Sequence, residues 1–305
     1  MSHHHHDHSH GHCHAPANFG KAFAIGISLN VVFVLLEFGY GYVSNSLSLL
    51  ADAGHNLGDV LGLAAAWGAS VLTQVAPTPN RSYGLKASSI LAALVNATLL
   101  LVTTGGIAWE ALQRLRAPET VQSSVVMAVA GVGILINGIT AMLFFSGRND
   151  DLNVKAAFQH MAYDALVAFG VVVGGFIIYK TGLKWIDPVL GLLICAVIIW
   201  GTWGLLKAST HLALQGTPPS IDPHKVEEYL MSIDRVTEVH DLHVWGMSTT
   251  EVALTVHLVV TPGTDTDTLL RNAAHELHDR FEVEHPTIQI ESNAHTCPLA
   301  SRAVV

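Results

Sequence analysis

Six stretches of the chain are apolar for long enough to cross a lipid bilayer, which takes about 20 residues in a helix. Three of them contain no charged residue: 87–109, 120–147 and 188–206. The other three are similarly apolar but each contains ionisable residues: 22–43, 46–73 and 156–179. The pattern predicts six transmembrane helices, with both ends of the chain on the same side of the membrane.

The pattern changes after residue 208, where short polar and apolar segments alternate. The segment "DPHKVEEYLMSI" places Asp222 as an N-cap before a proline, which is typical of a helix start. The segments "VTEVHDLHVWGM", "EVALTVHLVV" and "HPTIQIES" have the β-branched alternation of strands, and "DTDTLLRNAAHELHDRFE" is an amphipathic helix. The order αββαβ predicts a small ferredoxin-like sheet with helices on one face.

These patterns predict an α-helical membrane protein with six transmembrane helices, followed by a small cytoplasmic α/β domain. We divide the chain into a histidine-rich disordered tail (1–16), a transmembrane domain (17–208) and a cytoplasmic domain (209–305). The loop charges favour cytoplasmic termini. Six basic residues flank the helices on the inner side under this assignment, against four on the outer side: Lys21, Arg81, Lys86, Arg148, Lys155 and Lys207, against Arg114, Arg116, Lys180 and Lys184.

The net charge of −9 belongs entirely to the last part of the chain, which from Ala208 onwards has five Lys/Arg and fourteen Asp/Glu. A nucleic-acid-binding protein needs a basic surface, so this distribution argues against that class. It suits a domain that meets cations.

The first fourteen residues contain eight histidines. They lack the apolar core of a signal peptide. An expression tag is one interpretation, but tags are usually uninterrupted, and this run is broken by Asp, Ser, Gly and Cys, which favours a native metal-binding tail. The three cysteines, Cys13, Cys195 and Cys297, do not form a disulfide framework.

Two of the apolar stretches carry the same pattern, a histidine followed four residues later by an aspartate. His55 and Asp59 form this pair in the second stretch, and His160 and Asp164 form it in the fifth. Residues four apart lie on the same face of a helix, so each helix presents one imidazole and one carboxylate together. Two such helices facing each other supply two nitrogen and two oxygen ligands, a tetrahedral set that zinc accepts.

The alternative is that these residues are separate helix-end groups near the membrane surfaces. A charged side chain in hydrocarbon is costly and faces the protein interior or a water pathway, so two copies of the pattern inside spans favour a metal site. We interpret Asp52 either as a proton-relay or water-pathway residue or as a residue near the helix entrance. Glu37 is interpreted as an interhelical hydrogen-bond partner or a proton site rather than a ligand.

No enzyme motif is present. The sequence contains neither HExxH nor the phosphate-binding pattern GxxxxGK[ST], and no residue is arranged as a nucleophile with a base beside it. A four-ligand site also leaves no open position for an activated water. We therefore predict that the chain is not an enzyme and that uphill transport is driven by an ion gradient rather than by a nucleotide.

Taken together, the motifs resemble the cation diffusion facilitators, most closely the bacterial branch that exports zinc, cadmium and cobalt. The matching features are the six helices and four segments. These are "SLSLLADAGHNLGDV" in the second helix, "NVKAAFQHMAYDALVAFG" in the fifth, "DP" (Asp187 and Pro188) opening the sixth, and "VHDLHVW" in the cytoplasmic domain. The resemblance implies a proton-coupled exporter that acts as a homodimer, with the tail domains dimerising in the cytoplasm. It places the transport site at the four residues of the two His–Asp pairs.

The resemblance also implies a metal site in the cytoplasmic domain. The matching positions are His240, His257 and Glu291, with His285 and His243 as nearby candidates. The segments "HTC" near the end and "HCH" near the start resemble cysteine-bearing extensions that complete such a site in some relatives. His275 and His278 are interpreted as exposed helix residues. The loop "QVAPTPNRSYGLKASS" contains neither Asp nor His, so the second metal site that some relatives hold there is expected to be absent.

We therefore predict an antiporter that exports zinc in exchange for protons, with cadmium and cobalt as plausible substrates. Zinc is expected as the transported substrate and as a ligand of the cytoplasmic domain, with no other cofactor. The expected partners are zinc, protons, the lipid bilayer and a second copy of the chain, with no nucleic acid. The short loop "SGRNDDLN" between the fourth and fifth helices favours a bacterial inner membrane.

Two other functions remain open, a membrane-tethered metal sensor and a passive metal channel. A sensor would not need ligands in two membrane helices, and a channel would favour weaker binding at several sites. The four-ligand set inside the membrane helices therefore favours transport over both.

Overall fold

The computed structural model describes residues 19–145 and 152–292 of the chain. Six long helices come first among these residues. They are α1 (Phe19–Val43), α2 (Leu47–Thr73), α3 (Ser88–Arg116), α4 (Ser123–Phe145), α5 (Leu152–Thr181) and α6 (Ile186–Ala213). The histidine-rich start, Cys13 and Cys297 lie outside the described residues.

Four segments of the described chain are long and apolar enough to cross a membrane: Ser88–Arg116, Ser123–Met142, Phe158–Thr181 and Ile186–Ala213. The helices α1 and α2, of 25 and 27 residues, also exceed the length of about 20 residues that a bilayer requires. The ionisable residues of α2 lower its hydropathy. The chain thus contains a helical membrane region, as the apolar stretches predicted.

One compact unit contains the chain up to Val60 together with Thr104–Ala196. Within it, α4 and α5 pack along each other. A buried cluster joins α2 to both of them through Leu49, Val126 and Val171. The parts of α2 and α5 that contain the two His–Asp pairs therefore lie in the same unit.

A second compact unit contains Leu61–Thr103 and the chain from Val197 onwards. Its last part has the predicted order αββαβ: α7 (Pro223–Met231), β1 (Val236–Gly246), β2 (Val252–Val260), α8 (Thr266–Phe281) and β3 (His285–Glu291). The predicted N-cap is confirmed, because the carboxylate of Asp222 accepts a hydrogen bond from the backbone N–H of His224 at 3.0 Å.

The three strands form one sheet with β2 in the middle, antiparallel to β1 and parallel to β3. The helices α7 and α8 contact each other, with the rings of Tyr229 and Phe281 5.8 Å apart. Both helices contribute to one core with the strands, in which Leu230, Leu254 and Leu277 are fully buried. The register sets His240 of β1 directly opposite His257 of β2, so these two histidines are neighbours on adjacent strands.

Candidate metal centres

The two His–Asp pairs of the membrane region converge in the structure. Within each helix, the imidazole Nε2 lies close to the carboxylate four residues later, at 3.6 Å for His55 and Asp59 and 3.5 Å for His160 and Asp164. Between the helices, His160 Nε2 lies 3.2 Å from Asp59 Oδ2, and His55 Nε2 lies 3.8 Å from Asp164 Oδ1. One residue pair from α2 therefore meets one from α5, and within each pair the two side chains lie together as the spacing predicted.

These separations suit a tetrahedral zinc site. Ligand atoms about 2.0–2.1 Å from a zinc ion at tetrahedral angles lie about 3.3–3.5 Å from one another. The four separations between imidazole nitrogen and carboxylate oxygen range from 3.2 to 3.8 Å, with Oδ2 of Asp164 nearer to His160 and Oδ1 nearer to His55. Ligand atoms of His55, Asp59 and His160 also all lie within 4.8 Å of one another. Small side-chain movements would bring the four residues into ligand positions.

The environment of the site favours a cation. Among the described residues, the carboxylates of Asp59 and Asp164 form ion pairs only with the two histidines. The Oδ2 atoms of both aspartates and the Nδ1 atom of His55 are buried without a hydrogen bond in the described part of the chain. Buried charges are normally paired or bind a metal, so a divalent cation between these groups would offset both carboxylate charges.

Two further acidic residues, Glu37 and Asp52, are buried in the same unit as the site. Glu37 of α1 is fully buried, and its Oε2 atom accepts a hydrogen bond at 3.3 Å from the side-chain amide of Asn56 on α2. This contact is the interhelical hydrogen bond that was one of the two roles expected for Glu37. Asp52 is 3% exposed and lies in the second turn of α2, which places it inside the helix bundle.

A second cluster lies on the sheet, with one residue from each strand. His240 Nε2 lies 3.3 Å from Glu291 Oε2, and His257 Nδ1 lies 3.0 Å from Glu291 Oε1. The two imidazole centroids are 5.3 Å apart. His240 is 6% exposed, and the side chains of the other two are only 11–12% exposed. Two imidazoles and a carboxylate at these distances can hold a metal ion.

Two family models match the chain. The one described as "Cation efflux transmembrane domain" matches residues 23–212, which is more than half of the chain. The one described as "Cation efflux protein, cytoplasmic domain" matches residues 218–293.

The chain belongs to the cation efflux family.

Three relatives of this cation efflux protein align with most of its length. The zinc transporter ZitB of Escherichia coli is 38% identical over 251 residues, which is 82% of this chain and 80% of the relative. The metal cation efflux system protein CzcD of Cupriavidus metallidurans is 35% identical over 250 residues, or 82% and 79% of the two chains. The cadmium, cobalt and zinc/H(+)-K(+) antiporter of Bacillus subtilis is 30% identical over 258 residues, 83% of each.

One solved structure, the metal-bound C-terminal domain of the CzcD transporter from Cupriavidus metallidurans, is 32% identical and covers 23% of this chain and 99% of its own, with a TM-score of 0.23.

The family and the three full-length relatives are cation transporters and not enzymes. This cation efflux protein is therefore a multi-pass membrane transporter of metal cations, in the zinc, cadmium and cobalt branch that the motifs predicted.

Two other candidate ligands of the cytoplasmic domain, His285 and His243, lie apart from the cluster on the sheet. His285 begins β3 and Glu291 ends it, which places them about 20 Å apart at about 3.3 Å per residue. The exposed ring of His285 instead contacts Tyr83, with the centroids 5.5 Å apart. Within one chain, His285 is therefore not brought together with His240 and His257.

His243 is directed away from the cluster by a bulge in β1. The strand register shifts between His240 and His243, and Asp241 there has a φ of 52°. The exposed ring of His243 lies 2.9 Å from the near carboxylate oxygen of Asp241. The other oxygen of Asp241 lies 3.6 Å from His257 Nε2. Sequence reasoning missed this contact, and the only signal for it was an acidic residue next to a candidate ligand.

The two helix histidines of the tail are exposed, as predicted. The side chains of His275 and His278 on α8 are 72% and 65% exposed. Both imidazoles contact the carboxylate of Asp279. The hydrogen bond from His278 holds the pKa of this aspartate below its ordinary value. They belong to the solvated face of the helix.

Proposed function

We propose that this chain exports zinc from the cytoplasm in exchange for protons, binding each ion between His55 and Asp59 of α2 and His160 and Asp164 of α5. The observation that carries the proposal is the convergence of two imidazoles and two carboxylates from α2 and α5, with nitrogen–oxygen separations of 3.2 to 3.8 Å. Cadmium and cobalt are accepted by the same ligand types. Cadmium and cobalt also appear with zinc in the name of the Bacillus relative.

Proton coupling follows from the chemistry of the ligands. Metal binding requires a neutral imidazole and an ionised carboxylate, so zinc and protons compete for the same atoms. Histidine titrates near pH 6.5 in isolation, between the pH of an acidified exterior and that of the cytoplasm. A site that opens to the acidic side takes up protons and releases zinc. When it opens to the cytoplasm, it loses the protons and binds zinc again.

The cytoplasmic domain is proposed to hold a second zinc ion at His240, His257 and Glu291. An ion there would tie all three strands of the sheet together and would neutralise part of the acidic charge of this domain. His285 and His243 are not needed for this site. We further propose that the chain acts as a homodimer in the bacterial inner membrane, with both termini and the domain from residue 209 in the cytoplasm.

A membrane-tethered metal sensor is the second candidate, because the cluster of His240, His257 and Glu291 in the cytoplasmic domain could detect zinc by itself. A sensor, however, gives no role to four ligands in two membrane helices. The two functions therefore differ in what removal of the membrane ligands does. In a sensor, zinc binding by the cytoplasmic domain would survive this change. In a transporter, metal flux would stop.

The decisive experiment is zinc flux in proteoliposomes with an imposed pH gradient, followed by a zinc dye and an internal pH dye. Uphill zinc flux with proton counter-flow in the wild-type protein, lost in His160→Ala, is the expected result. A variant with Asp234→Asn, a change at an almost fully exposed position, is the control. Zinc flux that is unaffected by collapse of the gradient would contradict proton antiport.

A further inference from the structure

The first turn of α2 is closed by a carboxylate from another helix. Asp187, in the first turn of α6, accepts a hydrogen bond from the Leu47 backbone N–H through Oδ2 at 2.7 Å. Its Oδ1 accepts hydrogen bonds from the hydroxyls of Ser46 and Ser48, each at 2.6 Å. The Ser48 backbone N–H also points to Oδ1, at 3.4 Å. All four residues are no more than 2% exposed.

This arrangement satisfies a helix end that would otherwise be costly to bury. The first N–H groups of a helix have no partner within it, and the N-terminus has a partial positive charge. The Ser46 hydroxyl oxygen accepts the remaining N–H of the turn, from Leu49, at 3.3 Å. An ionised carboxylate is an acceptor only, and every group around Asp187 in this network is a donor.

A second contact on α6 supports the same packing. Gly191 lies one turn beyond Asp187 on the same face of α6. A methyl group built there would lie 3.3 Å from the backbone carbonyl of Leu47. The two helices therefore approach closely over a full turn of α6, with the carboxylate at one end of the contact and the glycine at the other.

We propose that Asp187 is a positioning residue for metal transport: it caps α2 from α6 and so fixes the height and rotation at which α2 presents its ligands. This inference rests on the proposed transport function. His55 and Asp59 follow Leu47 by eight and twelve residues on the same helix, about 12 and 18 Å along its axis. A shift of the first turn is transmitted along this rigid helix to both ligands, whereas the α5 ligands stay in place.

Two other roles for a buried aspartate are disfavoured by its contacts. As a metal ligand, Asp187 would need other ligand groups beside it, but the groups that contact its oxygens are backbone and serine donors. As a proton carrier, it would need to be protonated in part of the cycle, and protonation would remove the negative charge that the surrounding donors and the N-terminus of α2 stabilise.

The substitution Asp187→Asn separates these roles. Asparagine caps helices about as well as aspartate: its oxygen can accept from Leu47, and its amide can donate to the serine hydroxyls. We expect Asp187→Asn to keep zinc transport within about threefold of wild type, with an unchanged pH profile. Asp187→Ala removes the cap and is expected to lower transport by about tenfold or more, mainly through weaker zinc binding. Asp222→Asn, the same change at an N-cap of the small domain, is the matched control.

Transport and zinc affinity are measured in proteoliposomes and detergent, together with amide hydrogen exchange of residues 47–49. The proposal requires that transport falls only where these amides lose protection, and the double variant with Ser46→Ala and Ser48→Ala tests this if Asp187→Ala does not insert. Loss of transport in Asp187→Asn with the amides still protected would overturn it and indicate a chemical role for the carboxylate. If wild type shows no zinc flux, the proposed function fails instead, and the amide protection still reports the cap.

Discussion

The replacement of Asp164 by asparagine is the most direct test of the membrane metal site. The change keeps the size of the side chain and so leaves no cavity, but it removes one anionic ligand. Zinc binds to four-ligand protein sites with about 10–16 kcal/mol at pH 7, or about 2.5–4 kcal/mol for each ligand if the ligands contribute equally. Since each 1.4 kcal/mol is about a tenfold change in affinity, zinc binding should weaken by roughly two to three orders of magnitude.

The burial of the two aspartates predicts that they differ. The side chain of Asp164 is 5% exposed, so water cannot easily take its place as a ligand. The side chain of Asp59 is 34% exposed, and a water molecule can occupy the vacated position there. We expect Asp164→Asn to approach the upper end of the range and Asp59→Asn the lower end.

Isothermal titration calorimetry of the purified transporter measures the zinc affinity, and flux in proteoliposomes measures transport at low zinc. The site at His240 is removed in the same background by His240→Ala, and the histidine-rich start by deletion of residues 1–14, so that one binding event is observed. Asp234→Asn serves as the control for the loss of one negative charge. If Asp164→Asn binds zinc within about threefold of wild type, far below the loss expected for a ligand, the assignment of the site is wrong.

Three further predictions follow from other parts of the chain. His240→Ala should reduce the zinc bound per chain by one ion without abolishing transport, which calorimetry and flux measure together; an unchanged stoichiometry would contradict the tail site. Deletion of residues 1–14 should weaken transport at low zinc and leave the maximal rate intact, because the histidines raise the local metal concentration; a lower maximal rate despite normal insertion would indicate a direct role. Hydrogen bonds from Thr268 lower the pKa of the α8 cap Asp265, so its stabilisation is complete above about pH 4 and is lost as pH falls through the lowered value; amide exchange of α8 that is unchanged at acidic pH would refute this.

The helices could be predicted from the sequence because hydrocarbon leaves few alternatives for an apolar stretch. Their ends could not. The charge-free stretch that predicted α3 ends at residue 109, whereas the helix continues to Arg116. The extra two turns include Glu110 and Arg114, whose side chains form an ion pair four residues apart. Hydropathy identifies the part of a helix that meets lipid, not the point where the helix ends.

The approach of each histidine to the aspartate four residues later could be predicted because it is set by local helix geometry. The structure adds that the pairs lie face to face. The tail site depended more on the fold, since it joins residues of three strands. The bulge at Asp241 turns His243 away and directs a carboxylate towards His257, and no local pattern predicts such a one-residue irregularity.

The polar residues of α2 have partners on other helices. At about 100° per residue, Ser48, Asp52, His55 and Asp59 follow one stripe along the helix. Ser48 is bound by Asp187 of α6, and the ligand pair meets His160 of α5. Beside the stripe, Asn56 donates to Glu37 of α1. A polar stripe in a membrane helix must face protein, and here three different helices supply the partners. The same contacts that make the stripe tolerable in the membrane therefore also hold His55 and Asp59 of α2 in place.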